Sequence, residues 1–129
     1  MRKMTYLAAA IMMAALLAGC GDTHDSVMGD SVTEMKAFAT VLESIKDEAT
    51  AKEAAPKLEA IGARMKDLKA RMDKLGKPSE ADEKAMMTKY QKEIEEVQGK
   101  MMGAAFKLMA NPEAAKHIEK AMNDIKGSM

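Results

Sequence analysis

Apolar residues recur along this chain at spacings of three and four in four separate segments, and no stretch alternates with a period of two. The chain is therefore expected to be all-α, a small antiparallel bundle of about four helices. The clearest stripe is Leu58, Ile61, Met65, Leu68, Met72 and Leu75, a strict heptad seam. A second runs through Met87, Tyr90, Ile94, Val97, Met101, Ala104 and Leu108. Shorter stripes stand on either side, Met35, Phe38, Leu42 and Ile45 before them and Ile118, Met122 and Ile125 after. The two long segments are read as a central hairpin turned at Gly76-Lys77-Pro78, where glycine and proline stop a helix.

Local signals set the predicted boundaries. Ser31-Val32-Thr33-Glu34 reads as a capping box, in which each side chain satisfies the other residue's free amide, and so opens the first helix. A start near Asp25 or Ser26 is the alternative; it extends the stripe through Val27, Met28 and Val32 but has to include Gly29, a poor helix former. Thr50-Ala51-Lys52-Glu53 reads as the box of the second helix, with the turn at Lys46 to Ala49. Pro56 inside that helix removes one backbone hydrogen bond and predicts a kink or a fresh start. Ser79 with Asp82 caps the third helix, and Asn111-Pro112-Glu113 opens the fourth with a cap, a proline at the first helical position and an acid facing the dipole.

Lengths then constrain the arrangement. At 1.5 Å per residue the long helices span roughly 39 and 46 Å and the outer ones about 24 and 22 Å. Both short helices join the hairpin at its open end, so the closed end is expected to protrude, thinly covered, with Met72, Leu75, Met86 and Met87 as a possible partner surface.

The first twenty residues carry a different pattern. Arg2 and Lys3 precede an apolar run from Met4 to Ala18, the parts of a secretory signal. That run is shorter than the roughly 20 residues a spanning helix needs. It ends in Leu17-Ala18-Gly19-Cys20, which resembles the lipobox of bacterial lipoproteins. The resemblance implies removal of residues 1–19, a diacylglyceryl thioether on Cys20 with acylation of the new amine, and a lipid bilayer as partner. By the same resemblance, Gly21 after the cysteine favours the outer membrane, facing the periplasm. Residues 20–30 are then a lipidated cysteine and flexible tether of small polar residues, and residues 31–129 the helical bundle domain.

Composition narrows the function classes. Without Arg2 and Lys3 there are 18 basic and 20 acidic side chains, which gives no electrostatic footprint for nucleic acid. Beyond the leader the aromatics are Phe38, Tyr90 and Phe106, too few for stacking grooves. Cys20 is the single cysteine, so no intramolecular disulfide or thiolate cluster forms. From Arg64 to Lys77 six cations face two acids; this run is read as a solvated face offset by Glu80, Asp82 and Glu83, rather than as a contact for anionic head groups. Eleven of the fifteen methionines lie beyond the leader, mostly on the seams, and are read as core rather than as copper ligands. His117 is expected to pair with Glu113 one turn back, and His24 sits between Asp22 and Asp25 in the expected tether.

No glycine-rich phosphate loop, nucleophile elbow, His-Glu-x-x-His or Cys-x-x-Cys motif is present, so no catalytic residue, metal or cofactor is assigned. The stretch Asp47 to Leu58, DEATAKEAAPKL, is similar to stretches in small helical bacterial lipoproteins of unassigned function. The expected role is a membrane-anchored envelope lipoprotein acting as a non-enzymatic protein-binding or structural module, with a protein partner or a second copy of itself. The alternative is a periplasmic chaperone or metal-stress protein, similar in character to envelope-stress chaperones but without their Leu-Thr-x-x-Gln motifs; a carrier of a small apolar ligand is the third. The C-terminal Lys-Gly-Ser-Met has no terminal lysine for attachment to peptidoglycan.

Overall fold

The computed structural model describes residues 21–127, and the leader and Cys20 lie outside them. Four helices and no strand make up the described chain: α1 (His24–Glu43), α2 (Glu48–Leu75), α3 (Glu80–Met109) and α4 (Pro112–Lys126). The fold is a small all-α bundle.

The first helix opens earlier than the box at Ser31 predicts. Thr23 is its cap: the Thr23 hydroxyl accepts from the Ser26 amide, and Ser26 Oγ accepts from the Thr23 amide at 2.9 Å. Ser31 is interior, its hydroxyl donating back to Val27 O at 2.8 Å. Residues 24–30, expected as tether, are therefore two turns of helix, with Val27 fully buried. The second helix likewise starts three residues earlier than its predicted box. Asp47 is the cap, and Thr50 is its reciprocal partner at the third helical position. Pro56 causes no fresh start, and α2 is continuous through it. Both Pro56 and Lys52, whose carbonyl loses its donor, are exposed, so water can take the freed group. The predicted caps at Ser79 and Asn111 are as expected, with Pro112 opening α4.

The hairpin of α2 and α3 is present, but its arms do not lie against each other. Helix α1 is wedged between them, packed on both, and α4 lies along the first half of α2. The chain closes as a ring in the order α1, α2, α4, α3, with α3 and α4 only loosely in touch. Because α1 reaches the turn at Gly76, it fills the space between the arms at the closed end, which therefore does not project alone, although residues 79–85 stay exposed.

Two apolar clusters follow from this order. The larger sits at the open end and includes Phe38, Leu42, Ile45, Leu58, Ile61, Ile118 and Ile125. Gly62 belongs there for a packing reason, since a Cβ on it would lie 3.1 Å from Ile125 Cγ1. The smaller cluster, between α1 and α3 near the tip, holds Val32, Met86 and Tyr90. Gly29, which in sequence counts against an early start of α1, makes room for Tyr90; a Cβ there would stand 2.9 Å from the phenol oxygen.

Candidate functional site

The closed end of the hairpin is built from polar contacts. Arg71 donates to both oxygens of Asp22, Nε at 2.9 Å and Nη2 at 2.6 Å, and reaches Asp30 at 3.2 Å. It turns to these residues of the α1 start rather than to Asp67 one turn back on its own helix. Across the other arm Lys89 holds the Asp25 carboxylate at 2.7 and 2.9 Å, and Tyr90 donates to the Asp25 carbonyl at 3.2 Å. His24 Nε2 donates to Gly76 O at 2.9 Å, which requires the tautomer with its proton on Nε2. Gly76 has φ 74, the left-handed backbone that ends α2. Arginine and lysine hold the Asp22 and Asp25 carboxyls below their ordinary value of 3.8, chiefly by hydrogen bonding.

This closure removes most of the apolar surface expected at the tip. Met72 and Leu75 are half-buried, Met86 is only 5% exposed, and Met87 alone stays open at 51%. Met86 has taken the core place predicted for Met87, because the face of α3 that is buried here turns toward α1. The tip is also no basic patch. Its lysines and Arg71 stand among Asp22, Asp25, Asp30, Asp67, Asp73, Glu80, Asp82 and Glu83, so acids are at least as many as cations.

The open end has the opposite character. Between α3 and α4 lies a groove of about 500 Å³ with a floor of Leu42, Met101, Leu108, Ile118 and Met122, and with Pro112 at one wall. Lys116 and Glu119 are its charged margin. Beyond it, on the outward side of α3, Met102 is 64% exposed, Phe106 69% and Met109 80%. Sequence reasoning missed these three residues. Their spacings of four and three are as regular as the seam beside them, and a second apolar stripe on one helix was the signal available.

The two histidines are engaged across helices. His117 Nε2 lies 3.0 Å from Glu48 Oε1 on α2, in place of the expected pair with Glu113, which instead holds Lys116. Lys52 first, then His117, holds the Glu48 carboxyl below its ordinary value. Among the described residues no three His, Cys, Asp or Glu side chains come together as a metal site. Among the described residues one carboxylate oxygen, Glu34 Oε2, is buried without a hydrogen-bond partner, while Oε1 of the same group accepts from Arg64 Nε at 2.8 Å.

No helix among the described residues is long and apolar enough to cross a membrane. No protein-family model, curated protein or solved structure matches the chain.

Proposed function

We propose that this chain is a lipid-anchored protein of a bacterial envelope, attached through Cys20, whose helical body is a non-enzymatic binding or structural module. The reading rests on the apolar leader that ends in Leu17-Ala18-Gly19-Cys20, and the position of Asp22 says which end of the body that cysteine would hold. Only Gly21 separates Asp22 from Cys20, and the Asp22 carboxylate is clamped by Arg71 at the closed end of the hairpin. Two residues reach at most about 7 Å, so an acylated Cys20 holds this end directly at the bilayer surface. Each buried CH₂ contributes about 0.8 kcal/mol, and two or three acyl chains suffice for stable anchoring. The polar tip then sits in the headgroup region. Helix α3 carries the open end about 45 Å from the anchored tip, through the aqueous space beside the bilayer, where its apolar face meets protein. By the lipobox resemblance that space is the periplasm, with the outer membrane as the anchoring bilayer.

Intact mass spectrometry of the chain extracted from membranes tests this. The expected mass lacks residues 1–19 and carries acyl groups on Cys20, and Cys20→Ser moves the protein to the soluble fraction. A free thiol on a chain that retains Met1 overturns the reading.

A further inference from the structure

The outward face of α3 combines features that fit together only if something packs on it closely. Gly99 and Gly103 lie in the middle of a 30-residue helix, where each weakens the helix by about 1 kcal/mol relative to alanine. Nothing among the described residues accounts for either: beyond the adjacent backbone of its own helix, a Cβ on each would meet no atom within 4 Å. The contrast with Gly29 and Gly62, each pressed by a neighbouring side chain, is direct. At 100° per residue Gly99, Gly103 and Phe106 point within about 60° of one another, with Met102 and Met109 along one edge and Glu96 and Lys107 along the other. The face therefore carries a notch, a large ring beside it, and an acid and a base on one margin.

We propose that this face is a self-association surface on which a second copy of the chain packs antiparallel, Phe106 of each seated over Gly99 of the other. The occupant follows from self-complementarity. A two-fold antiparallel pairing brings each surface feature against its counterpart in reverse order. With Phe106 opposite Gly99, Met102 falls opposite Gly103, and like edges of the two helices meet. Glu96 of one copy and Lys107 of the other then come within about 3 Å of the same level along the axis. Among the described residues Lys107 has no ion-pair partner, and Glu96 has only the exposed Lys100 at 3.2 Å. A parallel two-fold pairing would bring unlike edges together, setting Glu96 and Lys107 of each copy against the methionine edge of the other and leaving the two charges without this pairing. The contact deepens the reading of the open end as the binding face; it sets the two closed ends about 68 Å apart along the helix axis, so two anchored copies share one bilayer with α3 lying along its surface. A single helix pair falls below the roughly 1,200 Å² of stable interfaces, so affinity in the micromolar range is expected.

The test is sedimentation equilibrium of the full chain, in a non-ionic detergent matched to the solvent density, over a concentration series. A monomer–dimer equilibrium is expected, weakened at least tenfold by Phe106→Ala. The double change Gly99→Ala with Gly103→Ala should weaken the dimer as much while raising the thermal midpoint, so loss of folding cannot account for it. Glu96→Lys should weaken association and Glu96→Lys with Lys107→Glu should restore it. A monomer at every concentration overturns the proposal, as does association indifferent to Phe106 and the two glycines. Binding to lipid vesicles that falls with Phe106→Ala, in place of dimerisation, overturns it too. The mass of Cys20 read on the same sample shows separately whether the anchor is present.

Discussion

The two ends of this bundle solve their packing problems in opposite ways. At the closed end the apolar cluster is small, and the start of α1 is fastened by polar contacts that span three helices: Asp22 with Arg71, Asp25 with Lys89, His24 with Gly76. At the open end residues from all four helices form the larger core, yet the same end leaves a groove and three large side chains open to water. A well-buried core and an exposed apolar face are thus neighbours. The lesson is that the exposed stripe does not reflect a shortage of core, since on the same helix Ala104 is buried in that core and Met101 and Leu108 are half-buried against it. A soluble monomer keeps its contiguous apolar patches small unless they serve a contact.

The two phenylalanines give the largest test of that contrast. Phe38 is buried in the open-end core, so Phe38→Ala should cost about 3–5 kcal/mol. Phe106→Ala should change monomer stability by no more than about 0.5 kcal/mol, because its ring touches mainly water. Urea unfolding at low protein concentration reads both. A large loss at Phe106 under those conditions would mean that the face packs within the protomer.

Much of this was legible in the sequence, and the failures share a cause. The seam of α2, the cap at Ser79 and the Asn111-Pro112 start of α4 are local signals with local consequences, and the structure follows them. The boxes at Ser31 and Thr50 have the right spacing, but Ser/Thr followed by an acid also fits a helix interior. The alternative start near Asp25 or Ser26 is the one the structure takes to within two residues. The local Thr23–Ser26 box opens it, and tertiary contacts hold it, since Asp22 and Asp25 meet cations 49 and 64 residues away. The order of helices escaped for the same reason. Equal seams on α2 and α3 suggest that they pair, and nothing local says that α1 lies between them. Helix α3 carries two apolar stripes, one residue apart, and periodicity alone cannot say which is covered.

The glycines sharpen the comparison with a difference of sign. Gly29→Ala would push a methyl group to 2.9 Å from the Tyr90 oxygen, whose ring is held in the tip cluster; a loss of about 1–3 kcal/mol is expected. Gly99→Ala adds a methyl group in open space and should stabilise the monomer by up to about 1 kcal/mol. The pair, measured by thermal melting at low concentration, separates a glycine required by the fold from one that the protomer alone does not need.

Acid should produce the smallest effect, and a local one. The Asp22 and Asp25 carboxyls lie below 3.8 in the folded chain because Arg71 and Lys89 donate to them. Between the folded and ordinary values the unfolded chain binds more protons, so stability falls as pH drops through that window and is fully present above it. These groups therefore contribute no pH dependence from about pH 5 to 8. The pairs are exposed, and salt screens them further. The expected signature is a loss of amide-exchange protection, relative to the intrinsic rate at each pH, in residues 24–30 below about pH 3.8, with protection at the α3–α4 end unchanged. The Asp47 cap of α2 is lowered as well, first by its bond from the Thr50 amide, so its first turn should loosen over the same range. Uniform loosening of all four helices would show instead that the closed end is not separately fastened, and that the larger cluster alone holds α1 in place.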